Sequence, residues 1–305
     1  MKILVLGGTG FVGRRLCAEL ARLQNQITVP TRDLAKGASL QSLPSLELVP
    51  GNVHDEPTLA RLVPGHDAVV NLVAILHGDR FEFERTHVEL VRKLVRACTG
   101  AGVNRLVHVS ALGAGQDAPS MYQRSKAAGE AVIESSGLDW TVLRPSVVFG
   151  EGDQFLNLFA RLQQFVPVIA LAGAQTRFQP VWVGDVVSAI TGCLQADDTA
   201  RRTYELCGPE VFTLRQLVQL AGRLSGHPRP VFGLPEPLAR LQALAMEFAP
   251  GPTLMSRDNL DSMKVDNVAS GNVPGLDALG IVPSSLTAVA PTYVRAGAAS
   301  VSTQP

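Results

Sequence analysis

The strongest constraint on the fold is a glycine-rich turn near the start of the chain. The aliphatic run from Ile3 to Leu6 predicts a strand buried on both faces, and Gly7, Gly10 and Gly13 follow before an amphipathic segment begins. Glycines at this spacing permit a tight turn, a close approach of phosphate to the backbone, and close helix packing. The helix start also presents unpaired N–H groups to an anion. The segment therefore predicts a dinucleotide-binding turn, with a purely structural turn as the alternative.

The residue that ends the second predicted strand bears on which dinucleotide binds. That strand is predicted over residues 27–32, and Arg32 lies about 20 positions beyond the glycines, where an acidic residue typically holds a ribose 2′-hydroxyl. An arginine there can accept the 2′-phosphate of NADP. We therefore predict NADP(H) as the cofactor. NAD is the alternative if Arg32 only pairs with Asp33 or stacks on adenine.

Strand and helix patterns alternate through about five cycles. This rhythm predicts an α/β fold, a Rossmann-type doubly wound parallel sheet, over residues 1–150. Residues 151–284 are irregular and are predicted to form a smaller α/β region on the substrate or partner side, from which strands can return to the main sheet. Residues 285–305 are rich in Ala, Ser, Thr and Pro and are predicted to be a flexible tail.

A tyrosine and a lysine share one face of the helix after the fifth strand. Ser120 and Gln123 have capping-box spacing, so the helix is predicted to start at Ser120. Tyr122 and Lys126 are then one turn apart. An ammonium beside a phenol favours phenolate and would lower the pKa of the tyrosine, so that the tyrosine can exchange a proton while hydride moves. We therefore interpret Tyr122 and Lys126 as a proton-transfer pair.

Composition excludes several classes of partner. Lys+Arg and Asp+Glu both number 27, so there is no electrostatic case for nucleic acid or an anionic membrane. The four cysteines are far apart and the six histidines form no ligand pattern, which predicts reduced thiols and no metal site. The start does not resemble an export signal, and no apolar run is long enough to span a bilayer. We expect a soluble cytoplasmic protein, with docking on the periphery of the inner membrane as an open alternative.

Several motifs together resemble a known family. The glycine turn, Tyr122-x-x-x-Lys126 and the run from Arg144 to Gly150 resemble extended short-chain dehydrogenase/reductases. More narrowly, residues 108–114, 124–130 and 138–146 resemble the atypical branch typified by the alpha-subcomplex subunit nine of respiratory complex I and its bacterial relatives. The resemblance covers at least residues 1–190.

The resemblance implies roles for matching positions along a bound dinucleotide. The pyrophosphate would be held by Gly7, Thr9, Gly10, Phe11, Val12 and Gly13. The adenine would be flanked by Asn52 and Val53, and the path of the dinucleotide would be lined by Val73 and Ala74. Lys126 would hold the nicotinamide ribose, Tyr122 would donate or accept the proton, and Pro145 to Val148 would pass close to the nicotinamide.

Two departures from the family pattern affect the expected chemistry. Productive extended members carry a catalytic Ser or Thr a residue or two beyond Ser110, where this chain has Ala111 and Leu112. They also tend to supply an asparagine at about the place of His87. Ser110 can orient a carbonyl, or it can bond only to backbone or to Tyr122. The tetrad is therefore incomplete.

The sequence and the resemblance together indicate two candidate functions and a third that combines them. The first is an NADP(H)-dependent oxidoreductase, and the apolar residues Phe149, Phe155 and Trp182 favour a lipophilic carbonyl or alcohol as its substrate. The second is a non-catalytic nucleotide-binding accessory or assembly protein of complex I or coenzyme Q metabolism, as the resemblance implies. A quinone reductase-like activity would join the two. The apolar segment 237–248 is interpreted as a core helix, with a substrate lid or a partner contact as alternatives.

Overall fold

The computed structural model describes residues 1–248 and 255–294, which form strands and helices in alternation. The strands are β1 (Lys2–Leu6), β2 (Gln26–Thr31), β3 (Leu46–Pro50), β4 (Ala68–Asn71), β5 (Arg105–Val109), β6 (Asp139–Pro145), β7 (Val148–Phe149), β8 (Ile169–Leu171), β9 (Arg177–Phe178), β10 (Val181–Trp182), β11 (Arg202–Leu206), β12 (Phe212–Thr213) and β13 (Val231–Gly233). The helices are α1 (Phe11–Arg22), α2 (Glu56–Leu62), α3 (Arg80–Phe83), α4 (Leu90–Ala101), α5 (Met121–Glu134), α6 (Leu156–Phe165), α7 (Val183–Gln195), α8 (Leu214–Leu224), α9 (Glu236–Glu247), α10 (Arg257–Ser262) and α11 (Leu286–Val289).

Seven of the strands form one parallel sheet in the order β11-β6-β5-β4-β1-β2-β3. Helices α1 and α7 pack on one face, and α2, α4 and α5 pack on the other. The Rossmann-type doubly wound sheet predicted from the sequence is confirmed. Strand order reverses between β1 and β4, and ligands of such sheets bind in the crevice at that point.

The central strand β4 is shorter than its apolar sequence predicts. The apolar run continues to Leu76, but pairing stops at Asn71. The Asn71 side-chain oxygen accepts the backbone N–H of Val73 at 3.2 Å, and this local bond replaces a ladder bond. Residues 72–79 therefore leave the sheet as a loop at its ligand-binding edge.

Helix α5 approaches the segment before α4 very closely at one point. Residues Glu84–Glu89 form a π-helical stretch between α3 and α4. A Cβ placed on Gly129 of α5 would lie 2.2 Å from the carbonyl oxygen of His87 in that stretch. Only glycine fits there, and the close approach fixes the position of α5 against the ligand-binding edge.

The second half of the chain returns to the main sheet before it completes the smaller region. β11 pairs in parallel with β6 at the sheet edge. The smaller region consists of α6, α8 and short strand pairs, and a separate apolar core forms between α6, α8 and α11.

The flexible tail predicted over residues 285–305 is wrong for its first part. Leu286 and Ala290 are buried, at 1% and 0% exposure, in the core between α6 and α8. Small and aliphatic residues here fill a core position, which composition alone did not reveal. Residues 295–305 lie outside the described residues.

Helix α9 exposes most of the apolar face that its sequence predicts for the core. Ala239 and Ala243 are buried, whereas Leu238, Leu241 and Phe248 are 52%, 62% and 82% exposed. The core interpretation of this segment is therefore wrong for its large side chains. None of the helices in the described ranges combines the length and hydropathy needed to span a membrane.

Candidate functional site

The glycine-rich turn lies between β1 and α1, at the carboxyl edge of the sheet. Gly7 has φ +81°, and the Gly10 N–H donates to the Gly7 carbonyl at 3.0 Å. A Cβ on Gly13 would lie 2.3 Å from that same carbonyl oxygen. Gly10 is the N-cap of α1 and supplies no side-chain acceptor to the first N–H groups of the helix. These groups, from Phe11 onward, fit a pyrophosphate.

The residues predicted to flank the adenine and to line the path of the dinucleotide follow β3 and β4 at the same edge. Asn52 and Val53 come after β3, and Val73 and Ala74 come after β4. Val53 and Val73 pack against one apolar cluster, so both loops rest on the same face of the sheet. The structure therefore brings these predicted residues to one edge, next to the strand-order reversal.

Arg32 follows β2 and is exposed. In the described part of the chain it makes no ion pair or hydrogen bond with Asp33, whose carboxylate instead accepts the Ala35 N–H at 3.0 Å. The alternative in which Arg32 only pairs with Asp33 is absent from the structure. Burial and the charges of Arg85, Arg32 and Lys93 lower the pKa of His54. His54, on the loop after β3, therefore has several cationic side chains around it, and Asp55 opposes their effect.

Lys126 is buried on α5, beside the end of β5. It is 1% exposed, and its Nζ donates to the Val109 carbonyl at 2.9 Å. Burial lowers the pKa of Lys126 to about 8, although Glu130 opposes the shift. Glu130 is also bonded to Arg144, at 2.5 Å. Lys126 therefore keeps two N–H groups without a partner in the described residues, beside the end of β5.

Tyr122 does not have the lowered pKa that its spacing to Lys126 predicts. Burial raises the pKa of Tyr122 to about 12. Its ring packs near the rings of Phe83 and His87, with centroids 6.1 and 5.6 Å away. The expectation of a phenolate near neutral pH is therefore wrong for the protein alone, because an apolar surrounding disfavours the charged form. Tyr122 is a neutral O–H donor at neutral pH.

His87 takes the place where the family pattern supplies an asparagine, and its tautomer follows from its bonds. Its Nε2 accepts the Ile75 N–H at 3.2 Å, and its Nδ1 lies 2.8 Å from Ser125 Oγ. Because Ser125 Oγ donates to the Tyr122 carbonyl, Nδ1 must carry the proton. Burial and then Lys126 lower the pKa of His87 to about 3. His87 is therefore neutral, and it ties the loop after β4 to α5.

Ser110 carries an unpartnered hydroxyl at the end of β5. The residue is 5% exposed, and its backbone N–H donates to the Leu143 carbonyl at 2.7 Å. Its Oγ has no hydrogen-bond partner in the described residues. Neither a backbone bond nor a bond to Tyr122 satisfies this hydroxyl. Ala111 and Leu112 beyond it are buried and apolar, so they supply no second side-chain donor.

The segment predicted to pass the nicotinamide is held by a residue that the sequence patterns did not single out. The Leu112 N–H donates to the Pro145 carbonyl at 2.9 Å, and Val148 begins β7. Between them, Asn267 Oδ1 accepts the Ser146 hydroxyl at 2.6 Å and the Val147 N–H at 3.2 Å. Its sequence neighbours carry no signal for this contact, since the two segments are 121 residues apart.

Asp258 is a second residue that sequence reasoning missed. Its carboxylate accepts the backbone N–H groups of Met121 and Tyr122, at 2.6 and 3.0 Å. Ser256 and Asn259 form a capping box, so their spacing could have predicted α10. The contact itself, across 137 residues, had no local signal.

The aromatic residues expected to line a lipophilic site do not do so together. Phe149 is 0% exposed and lies in the core of the smaller region, with Phe155 packed against that core. Trp182 lines a cavity of about 510 Å³ together with Phe11 and Tyr293, beside the glycine turn and away from Tyr122. Leu76, on the loop after β4, and Phe81, in α3, are apolar side chains at 60% and 72% exposure.

Family models and known proteins match most of the chain. Residues 7–156 match a family described as NAD(P)H-binding, and residues 114–230 match the RmlD substrate binding domain. The mitochondrial NADH dehydrogenase (ubiquinone) 1 alpha subcomplex subunit 9 of Arabidopsis thaliana is 32% identical, over 92% of this chain and 74% of the plant protein. Its Mus musculus counterpart is 31% identical, over 92% and 76%.

Solved structures show the same fold at lower identity. A dTDP-glucose 4,6-dehydratase from Streptomyces venezuelae, solved as a double mutant with NAD bound, superimposes with a TM-score of 0.78. The two chains are 22% identical, and the match covers 96% of each. The chain therefore has the same fold as this dehydratase.

Proposed function

The chain belongs to the family of NADH dehydrogenase (ubiquinone) 1 alpha subcomplex subunit 9, and on this premise we propose that it is an NADP(H)-dependent oxidoreductase of a lipophilic carbonyl, alcohol or quinone. The observation that carries the proposal is a pair of incompletely satisfied polar groups at the end of β5. Ser110 Oγ is buried without a partner in the described residues, and Lys126 has a single hydrogen bond for three N–H groups. Such groups are costly to bury unless a ligand satisfies them.

The preference for NADP(H) rests on the adenosine end. Arg32 is exposed beside β2 and is free of Asp33 in the described residues. Arg85 and Lys93 add positive potential around His54. A 2′-phosphate carries two formal charges at most and is best held by such a cationic surface. NAD lacks the 2′-phosphate and would make no use of this cationic surface.

The residues at the nicotinamide end of the site suit a carbonyl substrate. When bound, the nicotinamide supplies or takes a hydride. Lys126, with two spare N–H groups, binds the hydroxyls of the adjoining ribose. Ser110 Oγ and the Tyr122 phenol donate hydrogen bonds to the substrate oxygen, and the neutral phenol delivers its proton as the oxygen gains charge. Burial raises the pKa of Tyr122, so at neutral pH the phenol carries the proton that carbonyl reduction requires.

A lipophilic substrate suits the entrance to this site. Leu76 is exposed on the loop after β4, and Phe81 is exposed in α3, the helix that also carries Phe83, whose ring packs near Tyr122. Ala111 and Leu112 give the wall next to Ser110 an apolar surface. The catalytic Ser or Thr of the family pattern is absent from this wall, so we expect the reaction to be slower than with a complete tetrad.

A comparison of Tyr122→Phe with wild type tests the proposal. Purified protein is assayed with NADPH and a panel of long-chain ketones, aldehydes and short-chain quinones. We expect turnover in the wild type, its loss in Tyr122→Phe, and its retention in the matched control Tyr204→Phe, which changes a buried tyrosine on β11. Undiminished turnover in Tyr122→Phe would contradict the proton-donor role.

A non-catalytic accessory or assembly role in a respiratory or quinone-metabolism complex is the second candidate. It is favoured by the exposed apolar face of α9, formed by Leu238, Leu241 and Phe248. In that case the wild type would retain NADPH tightly and turn over nothing. Recovery of respiratory-complex proteins by the wild type, and their loss in Leu241→Glu, would support this candidate.

A further inference from the structure

The start of α5 is held by a carboxylate from a distant part of the chain. Asp258, on α10, is 9% exposed, and its two oxygens accept the N–H groups of Met121 and Tyr122 at 2.6 and 3.0 Å. The next N–H, that of Gln123, is bonded at 3.1 Å to the side chain of Ser120. The free N–H groups at this helix end are thus satisfied jointly by a local cap and by Asp258.

Helix α10 is itself fixed on several sides. Its capping box joins Ser256 to Asn259, and Asn259 Nδ2 donates to the Leu76 carbonyl at 3.4 Å. Asp261 bonds to Arg240 of α9 at 3.1 Å. The negative charge of Asp258 also opposes the lowering of the pKa of His77 by burial, which places that carboxylate near the loop after β4. Helix α10 therefore contacts the loop after β4 and helix α5, which flank the candidate nicotinamide site.

We infer that Asp258 is a positioning residue that fixes the Tyr122 phenol against the nicotinamide end of the bound dinucleotide. The inference rests on the proposed function, since it concerns the same site. A carboxylate at the positive end of a helix makes strong, charge-assisted bonds. Its partners are the peptide N–H of Tyr122 itself and that of the preceding residue. Loss of these bonds lets the first turn of α5 move, whereas Lys126, one turn further on, is held independently by Val109.

We therefore predict that loss of Asp258 lowers the rate of the chemical step and leaves nucleotide binding nearly unchanged. A shift of the phenol by about 1 Å is enough to lower kcat roughly 100-fold. The glycine turn, Arg32 and Lys126 are not bonded to Asp258, so the Kd for NADPH should change little. A general loss of packing would instead weaken NADPH binding and lower the midpoint of unfolding.

The test compares Asp258→Ala and Asp258→Asn with Asp261→Asn, a matched control on the same helix that leaves the contact with α5 intact. Asp258→Asn keeps the shape and one acceptor oxygen, so it remains informative if the alanine variant folds poorly. Amide hydrogen exchange at Met121 and Tyr122 is expected to be about tenfold faster in the Asp258 variants and unchanged in Asp261→Asn.

A second readout does not depend on turnover. The chain has three tyrosines, so tyrosine labelled with ¹³C at the ring Cζ alone gives three signals, and Tyr122→Phe assigns one of them. In wild type, NADPH should shift the Tyr122 signal; in Asp258→Ala the shift should be lost or broadened at an unchanged Kd. Unaltered exchange and an unaltered Tyr122 signal would overturn the inference, as would a loss of kcat matched by an equal loss of NADPH affinity. A wild type that binds NADPH without turnover would contradict the proposed reaction, and exchange and ring signals would still decide whether Asp258 positions Tyr122.

Discussion

The ammonium of Lys126 donates to the carbonyl oxygen of Val109 at 2.9 Å, so a buried cation on α5 is tied to the last residue of β5. Nothing of opposite charge touches it in the described residues, since Glu130 is engaged by Arg144. The protein therefore carries a buried charge at the end of β5 that is incompletely compensated until a ligand binds.

Lys126 should make the stability of the ligand-free protein depend on pH. Its pKa is about 8 in the folded state and 10.5 when unfolded, so the unfolded chain binds more protons between these values and stability rises with pH across that window. The full difference corresponds to about 3 kcal/mol. Lys126→Met removes this term, so its stability advantage over wild type should shrink as pH rises from 7 to 10. Urea unfolding of both proteins at several pH values measures it; a constant difference would contradict the shifted pKa.

Arg32→Ala should weaken NADPH binding and leave NADH binding unchanged. Loss of a charged bond to the 2′-phosphate costs about 1.5–3 kcal/mol, or roughly 10- to 100-fold in Kd. Titration calorimetry with both nucleotides measures the change. Arg61→Ala is the control, since Arg61 is an exposed arginine on α2. Equal losses for NADPH and NADH would remove the assignment of Arg32.

Ser110→Ala should separate stability from activity. Ser110 Oγ has no partner in the described residues, so its removal should leave stability unchanged or raise it by up to about 1 kcal/mol. If the hydroxyl donates to the reacting oxygen, kcat should fall roughly 100- to 1,000-fold. Thermal unfolding and steady-state kinetics measure the two effects. A strongly destabilised variant would show that the hydroxyl has a structural partner.

Gly129→Ala should be destabilising, whereas Gly100→Ala should not. A Cβ on Gly129 would meet the His87 carbonyl at 2.2 Å, so α5 would have to move away from the π-helical stretch, at about 1–3 kcal/mol. Gly100 lies in α4 with open space around it, and alanine there should add about 0.5–1 kcal/mol. Chemical denaturation of both variants measures the contrast. Similar stabilities would mean that α5 and the π-helical stretch can separate at no cost in free energy.

The sequence predicts the parallel sheet and the glycine turn well, because both depend on local patterns. Buried aliphatic runs, glycine spacing and helix caps are sufficient to identify β1, α1 and α5. Family membership, predicted from motifs that extend past Tyr122 and Lys126, is also confirmed. The assignment of individual residues to cofactor or catalysis stays a prediction.

The parts that could not be predicted depend on surroundings rather than on spacing. Tyr122 and Lys126 have the expected helical separation, but burial dominates the pKa of both, and burial is set by residues far away in sequence. Asp258 and Asn267 reach the site across more than a hundred residues. Segment 237–248 is amphipathic in pattern, yet its apolar face points outward. Periodicity predicts that a helix has an apolar face, but it does not predict what covers that face.

The place of β11 in the central sheet also determines how the chain can be divided. This strand comes after α7 in sequence and pairs with β6 over Arg202–Leu206. A fragment that ends at residue 150 would leave the edge of β6 open, with unpaired backbone groups that template aggregation. Segments of the main sheet and of the smaller region are interleaved along the chain, so we expect them to melt in a single cooperative transition, and an expressible truncation must extend beyond Leu206.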